Sequence, residues 1–178
     1  MPLRIHPADA YRLEDPFGSL GLAAPGQDVG DPGVSGALTQ ALAGTGRRPA
    51  DYRAPVVVRD LDDGDGELVA GAVRLRTLHA PGHTEGSTLL VAQGVAQGVA
   101  QGVSRDGTPD GSHGVVLAGD VLFAGGVGRT DLPGGDAATM ARTLRDVVGR
   151  LDPALSVVPG HGPTTTVGRE LATNPYLR

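Results

Sequence analysis

The sequence has no cysteine, no tryptophan and no lysine; all 15 of its basic residues are arginine. Without thiolates, any metal site has to be built from nitrogen and oxygen donors. The exclusive use of arginine suggests compositional bias in the source genome more than a functional demand. Aromatics are scarce, two Phe and three Tyr, so the core has to come from Val, Leu and Ala. No apolar run approaches the roughly 18 residues a membrane helix needs. The formal net charge is −5, and no basic stripe or aromatic-interleaved cluster offers a nucleic-acid surface. The opening residues, Met1 to His6, show no apolar signal region. These absences give the expectation of a cytoplasmic protein that engages neither membrane nor nucleic acid. Glycine and proline are abundant at 29 and 14, so turns and loops make up much of the chain. A length of 178 residues suits one core, hence a single domain over 1–178.

The most informative stretch runs from Thr77 to Ser87. Alternating Val73, Leu75 and Thr77 read as a half-buried strand leading into it. Pro81-Gly82 then forces a turn, and His83 follows on a stiff loop at the strand end. Two later stretches share the design. Val115 to Ala118 is an apolar strand that ends in Gly119-Asp120, and Ser156 to Val158 ends in Pro159-Gly160-His161. Imidazole and carboxylate at three strand ends are the donors a zinc-like ion accepts when thiolate is lacking. One Pro-Gly-His is weak evidence; the three stretches together are strong.

These residues resemble the metallo-β-lactamase-fold hydrolases, most closely the glyoxalase II-like branch without a C-terminal substrate-binding domain. The resemblance is carried by His79 to Ser87, Gly119 to Phe123, Gly128-Arg-Thr-Asp-Leu-Pro133, Pro159 to Pro163 and Asn174 to Leu177. It implies an α+β fold, a partial αββα metallo-β-lactamase sandwich corresponding to the larger C-terminal part of a family member. It implies a two-metal hydrolase using zinc, iron or manganese, and a small-molecule thioester of the acyl-glutathione type as substrate. In it His83 would bind the first ion, Asp120 would bridge and take part in catalysis, and His161 would bind the second. Arg129 would face the substrate or pair with Asp131, and His79 would sit behind the ligands or simply be buried.

One departure is direct. The family's His-x-His-x-Asp-His motif, normally upstream, is absent; of five histidines, no two are separated by one residue. Each ion would keep two protein ligands where a catalytic zinc normally has three. Weak or no metal binding is therefore expected of this chain alone, and an inactive fragment or non-enzymatic remnant stands beside the hydrolase. A mononuclear-iron sulfur dioxygenase is a further alternative, because that branch shares the Gly-Arg-Thr-Asp loop.

The remaining pattern predicts a strand at Leu3–Ile5 and a short helix from His6 to Leu13, with His6 at the surface. A loop with one helical stretch near 37–43 follows, then a strand at 56–61 and an Asp-Gly hairpin turn at 62–66. The thrice-repeated Val-Ala-Gln-Gly belongs to a low-complexity insert, 92–113, that includes a solvent-exposed His113. Residues 121–131 read as a glycine-rich loop. Asp136 is expected to cap a helix buried through Leu144, Val147, Val148 and Leu151, and Thr165 or Thr166 a final one.

Overall fold

The computed structural model describes residues 3–16, 18–20, 44–46, 51–56, 58–61, 66–92 and 114–178. The helical stretch near 37–43, the turn at 62–65 and residues 93–113 of the insert, with His113, lie outside the described residues.

The chain enters through β1 (Leu3–Ile5), which pairs in parallel with β2 (Val58–Asp60) as a separate two-stranded sheet. Between them Pro7–Leu13 forms a 3-10 helix, capped by His6 Nδ1, which accepts from the Ala8 amide at 3.2 Å. The main sheet then builds by hairpins. β3 (Gly66–Ala70) and β4 (Val73–His79) are antiparallel about Gly71, whose φ of 62° suits the first position of a two-residue turn. β5 (Thr88–Ala92) and β6 (Val115–Gly119) continue the antiparallel run. Then β7 (Leu122–Phe123) and β8 (Gly126–Val127) form a small hairpin where the sequence read only as a glycine-rich loop. Strands of two residues carry no visible alternation, which is why the pattern missed them.

Helix α1 (Ala137–Asp146) follows, its first turn capped by Asp136, whose carboxylate accepts from the Thr139 amide at 2.6 Å. β9 (Ser156–Pro159) enters parallel to β6, and β10 (Thr165–Thr166) pairs antiparallel with β9. Helix α2 (Val167–Thr173) is capped by Thr166. The resulting strand order is β10-β9-β6-β5-β4-β3, an α+β arrangement of one large mixed sheet and few helices.

Strand alternation decides where the core lies. Leu89 and Val91 of β5, Val116 and Ala118 of β6, and Val157 of β9 all point to one face. There they meet Met140 and Leu144 of α1, with Val148, Leu151 and Val167, in one apolar cluster. As composition requires, that cluster is Val, Leu and Ala, with a single Met. β4, β6 and β9 run in the same direction, with β5 antiparallel between β4 and β6, so their C-terminal ends emerge at one edge of a packed sheet.

Candidate metal centre

Each candidate ligand sits where a strand stops. After β4 the chain turns at Gly82, where φ is +139°. A Cβ there would lie 2.6 Å from the Met140 Cα, so only glycine lets this loop rest on α1. The loop is tied down on that side by Thr143 Oγ1, which donates to the Pro81 carbonyl at 2.6 Å, and by the Asp136 amide, which donates to the Gly82 carbonyl at 2.9 Å. After β6 the register shifts against β9 between Leu117 and Gly119, and Gly119 takes a φ of +49°. Such an irregularity re-aims the next side chain, here Asp120. After β9 the Gly160 amide donates to the Gly119 carbonyl at 2.7 Å, which fixes the approach of His161 to Asp120.

The three side chains converge. His83 Nε2 lies 3.7 Å from Asp120 Oδ2, and His161 Nε2 lies 3.8 Å from Asp120 Oδ1. One carboxylate thus turns a different oxygen to each histidine. Both gaps are too long for hydrogen bonds. The His83 ring donates from Nδ1 to the Arg129 carbonyl at 2.8 Å, because a carbonyl can only accept. Its Nε2 is then the lone-pair nitrogen, and it is the one facing Asp120. Nothing in the Arg129 side chain announces this role, since it belongs to the main chain.

Arg129's own guanidinium is committed elsewhere: Nε and Nη2 donate to the two Asp131 oxygens at 2.8 and 2.7 Å. The bidentate bond pulls the Asp131 carboxyl from 3.8 down to about 2. The folded value lies below the ordinary one, so the pair's contribution to stability is complete above about pH 4 and is lost as the pH falls through about 2. The pair is exposed, so that contribution is small. An NMR pH titration is expected to find Asp131 ionising near 2, and Arg129→Gln is expected to return it toward 3.8.

His79 does not reach the three ligands. Its Nε2–H donates to the Glu85 carbonyl at 2.8 Å, and its ring stacks on His6 with centroids 4.1 Å apart. His6 is accordingly buried, at 4% exposure, which corrects the expectation that it lies at the surface. The reason is that the helix following it folds back over the His83 loop. Asp9 accepts from Thr84 Oγ1 at 2.6 Å, and Arg12 Nη2 donates to Glu85 at 2.8 Å and to the Pro133 carbonyl at 3.0 Å. Phe123, on the β7–β8 hairpin, packs its ring 4.4 Å from that of His161.

The donors can be tested against a metal ion by distance, type and number. An ion about 2.0–2.2 Å from an imidazole nitrogen and a carboxylate oxygen fits between atoms 3.7–3.8 Å apart. The types also fit. The number does not: the three side chains give each of two ions two donors, and no group of three or more acidic or histidine side chains among the described residues is arranged to hold one ion. The residues suit part of a centre and do not by themselves complete one.

No protein-family model matches the chain. Among curated proteins, an uncharacterized protein of Mycobacterium tuberculosis is 34% identical over 178 residues, 99% of this chain and 64% of its own length. A probable metallo-hydrolase of Bacillus subtilis is 35% identical over 130 residues, covering 73% of this chain and 49% of that protein. A hydroxyacylglutathione hydrolase of Haemophilus influenzae is 36% identical over 100 residues, 56% of this chain and 39% of that enzyme. Among solved structures, the BLEG-1 B3 metallo-β-lactamase aligns with a TM-score of 0.64 at 27% identity over 99% of this chain and 65% of its own. A protein crystallised in a di-iron-bound form aligns with a TM-score of 0.60 at 29% identity, again over 99% and 65%. The chain thus spans about two thirds, at most, of the proteins it matches here. No helix among the described residues is long and apolar enough to cross a membrane.

Proposed function

Taking the chain as a metallo-β-lactamase-fold relative of the glyoxalase II-like hydrolases, we propose that His83, Asp120 and His161 are one wall of a two-ion hydrolytic centre, and that the whole enzyme cleaves small thioesters of the acyl-glutathione type. The observation that carries this reading is the Asp120 carboxylate, with one oxygen turned to each histidine. That disposition suits a carboxylate that would give one oxygen to each of two ions. The ions, when bound, supply a water acidified to a pKa of about 7 and a Lewis acid for the carbonyl.

The chain's own part is orientation. The Arg129 carbonyl keeps the His83 lone pair on Nε2, and the register shift before Gly119 aims Asp120. Zinc is the metal we favour, with iron or manganese as alternatives. The thioester preference is drawn from the similarity to the Haemophilus hydroxyacylglutathione hydrolase.

The donor count favours a second reading of this chain taken alone, that of a catalytically silent remnant, because two donors per ion fall short of three. A zinc titration followed by NMR separates the readings. The site reading expects weak binding that perturbs the His83 and His161 rings together and disappears in Asp120→Ala. Zinc that perturbs neither ring would falsify it. Hydrolysis of an acyl-glutathione thioester is expected to stay at background for the 178-residue chain. An ordinary rate with two bound zinc ions would overturn the count.

A further inference from the structure

Glu170 is the most deeply buried acid among the described residues, at 1% exposure, with Asn174 beside it at 0%. A carboxylate in such a place is costly unless hydrogen bonds replace its water. Three do. Thr165 Oγ1 donates to Oε1 at 2.6 Å, and the Gly125 amide and Asn174 Nδ2 donate to Oε2 at 2.8 and 2.9 Å. All three partners are neutral. Asn174 Nδ2 also donates to the Gly126 carbonyl at 3.0 Å, while its Oδ1 accepts from the Tyr176 amide at 3.1 Å. Glu170 on α2 and Asn174 at its C-terminal cap thus grip the tip of the β7–β8 hairpin through both Gly125 and Gly126.

That hairpin needs outside support. Its two-residue turn is Ala124-Gly125, and positive φ occurs only at the second residue, Gly125, at +73°. Turns that match the twist of a two-residue hairpin place positive φ at the first residue or at both. Two strands of two residues each also lack the pairing to stand alone. What the hairpin delivers is Phe123, whose ring lies 4.4 Å from that of His161 at a tilt of 35°. The His161 side chain is otherwise 72% exposed.

We propose that Glu170 and Asn174 are positioning residues for His161: buried hydrogen bonds lock the hairpin, and the hairpin holds Phe123 as a backstop that keeps the imidazole turned toward Asp120. This rests on reading His161 as a site residue, but its test does not need metal or turnover. Phe123 imposes a ring-current shift on the His161 Hδ2 and Hε1 signals, read by NMR on the metal-free chain. Phe123→Leu is expected to abolish that shift. Glu170→Gln, which puts an amide NH2 among three donors, is expected to move the same signals in the same direction and to leave the His83 signals in place. Should Glu170→Gln fail to fold, Asn174→Ala, which leaves Glu170 its bonds to Thr165 and Gly125, is read in the same way. A folded variant with a lowered melting temperature and unmoved His161 signals would make the pair merely structural and overturn the proposal. So would Phe123→Leu leaving those signals unchanged. Failure of the zinc titration would leave these shifts intact, so the two ideas fail separately.

Discussion

Gly128→Ala is expected to destabilise the chain by about 3 kcal/mol, the upper end of the usual range for overpacking. A Cβ on Gly128 would run into the Asp120 carbonyl oxygen, lie 2.9 Å from its carbon and come within 3.2 Å of the His83 Cβ. The first two obstacles are main chain, in the turn that follows β6, and cannot rotate aside. Relief requires moving β6's exit or the segment after β8, and both border buried Val121 and Leu122. For a chain of this size the loss corresponds to roughly 6–12 °C in melting temperature. Urea and thermal melts check it. A variant that melts with the wild type would mean that the chain at 128 does not press on the Asp120 main chain.

Gly128 was visible in the sequence as part of Gly-Arg-Thr-Asp, but the reason for a glycine was not. Close approach between segments eight residues apart leaves no periodic trace. What was legible were the strand ends. Apolar runs followed by Pro-Gly or Gly-Asp announced β4, β6 and β9, and three strands leaving one sheet edge brought His83, Asp120 and His161 together. Capping was legible too, because Asp136 and Thr166 each stand one residue before a helix. Main-chain roles were not: the Arg129 carbonyl on His83 could come from any residue type. Nor was the burial of His6, which depends on a helix folding back onto a loop some seventy residues later. The Glu170–Asn174 pair did leave a signal that went unread. Val167, Glu170, Leu171 and Asn174 repeat at helical spacing, so two polar residues share the stripe of two apolar ones. Polar groups on a buried stripe must find partners, and theirs were on the hairpin.

Gly160→Ala is expected to give the opposite outcome from Gly128→Ala, although both glycines press on the same aspartate. A Cβ on Gly160 would collide with Asp120 Oδ1 and approach the Gly119 carbonyl carbon and oxygen at 3.2 and 3.3 Å. Its φ is not in the left-handed region, so alanine meets no backbone penalty there. The main obstacle is the free end of a side chain, and the Gly119 contacts need only a few tenths of an ångström. The fold is therefore expected to survive with a loss of about 1 kcal/mol or less, at or under the lower end of the overpacking range. The carboxylate rotates instead, and the rotation takes Oδ1 away from His161 Nε2, now 3.8 Å distant. Whatever zinc affinity the chain has should then fall by roughly 10–100-fold, the usual effect of disturbing a ligand's support. Calorimetric zinc titration beside a urea melt reads both quantities on one sample. If Asp120 truly faces both histidines, the alanine at 160 costs binding and spares stability. If zinc affinity held while the melt collapsed, the aspartate would be a structural residue and the shared-carboxylate reading would fall with it.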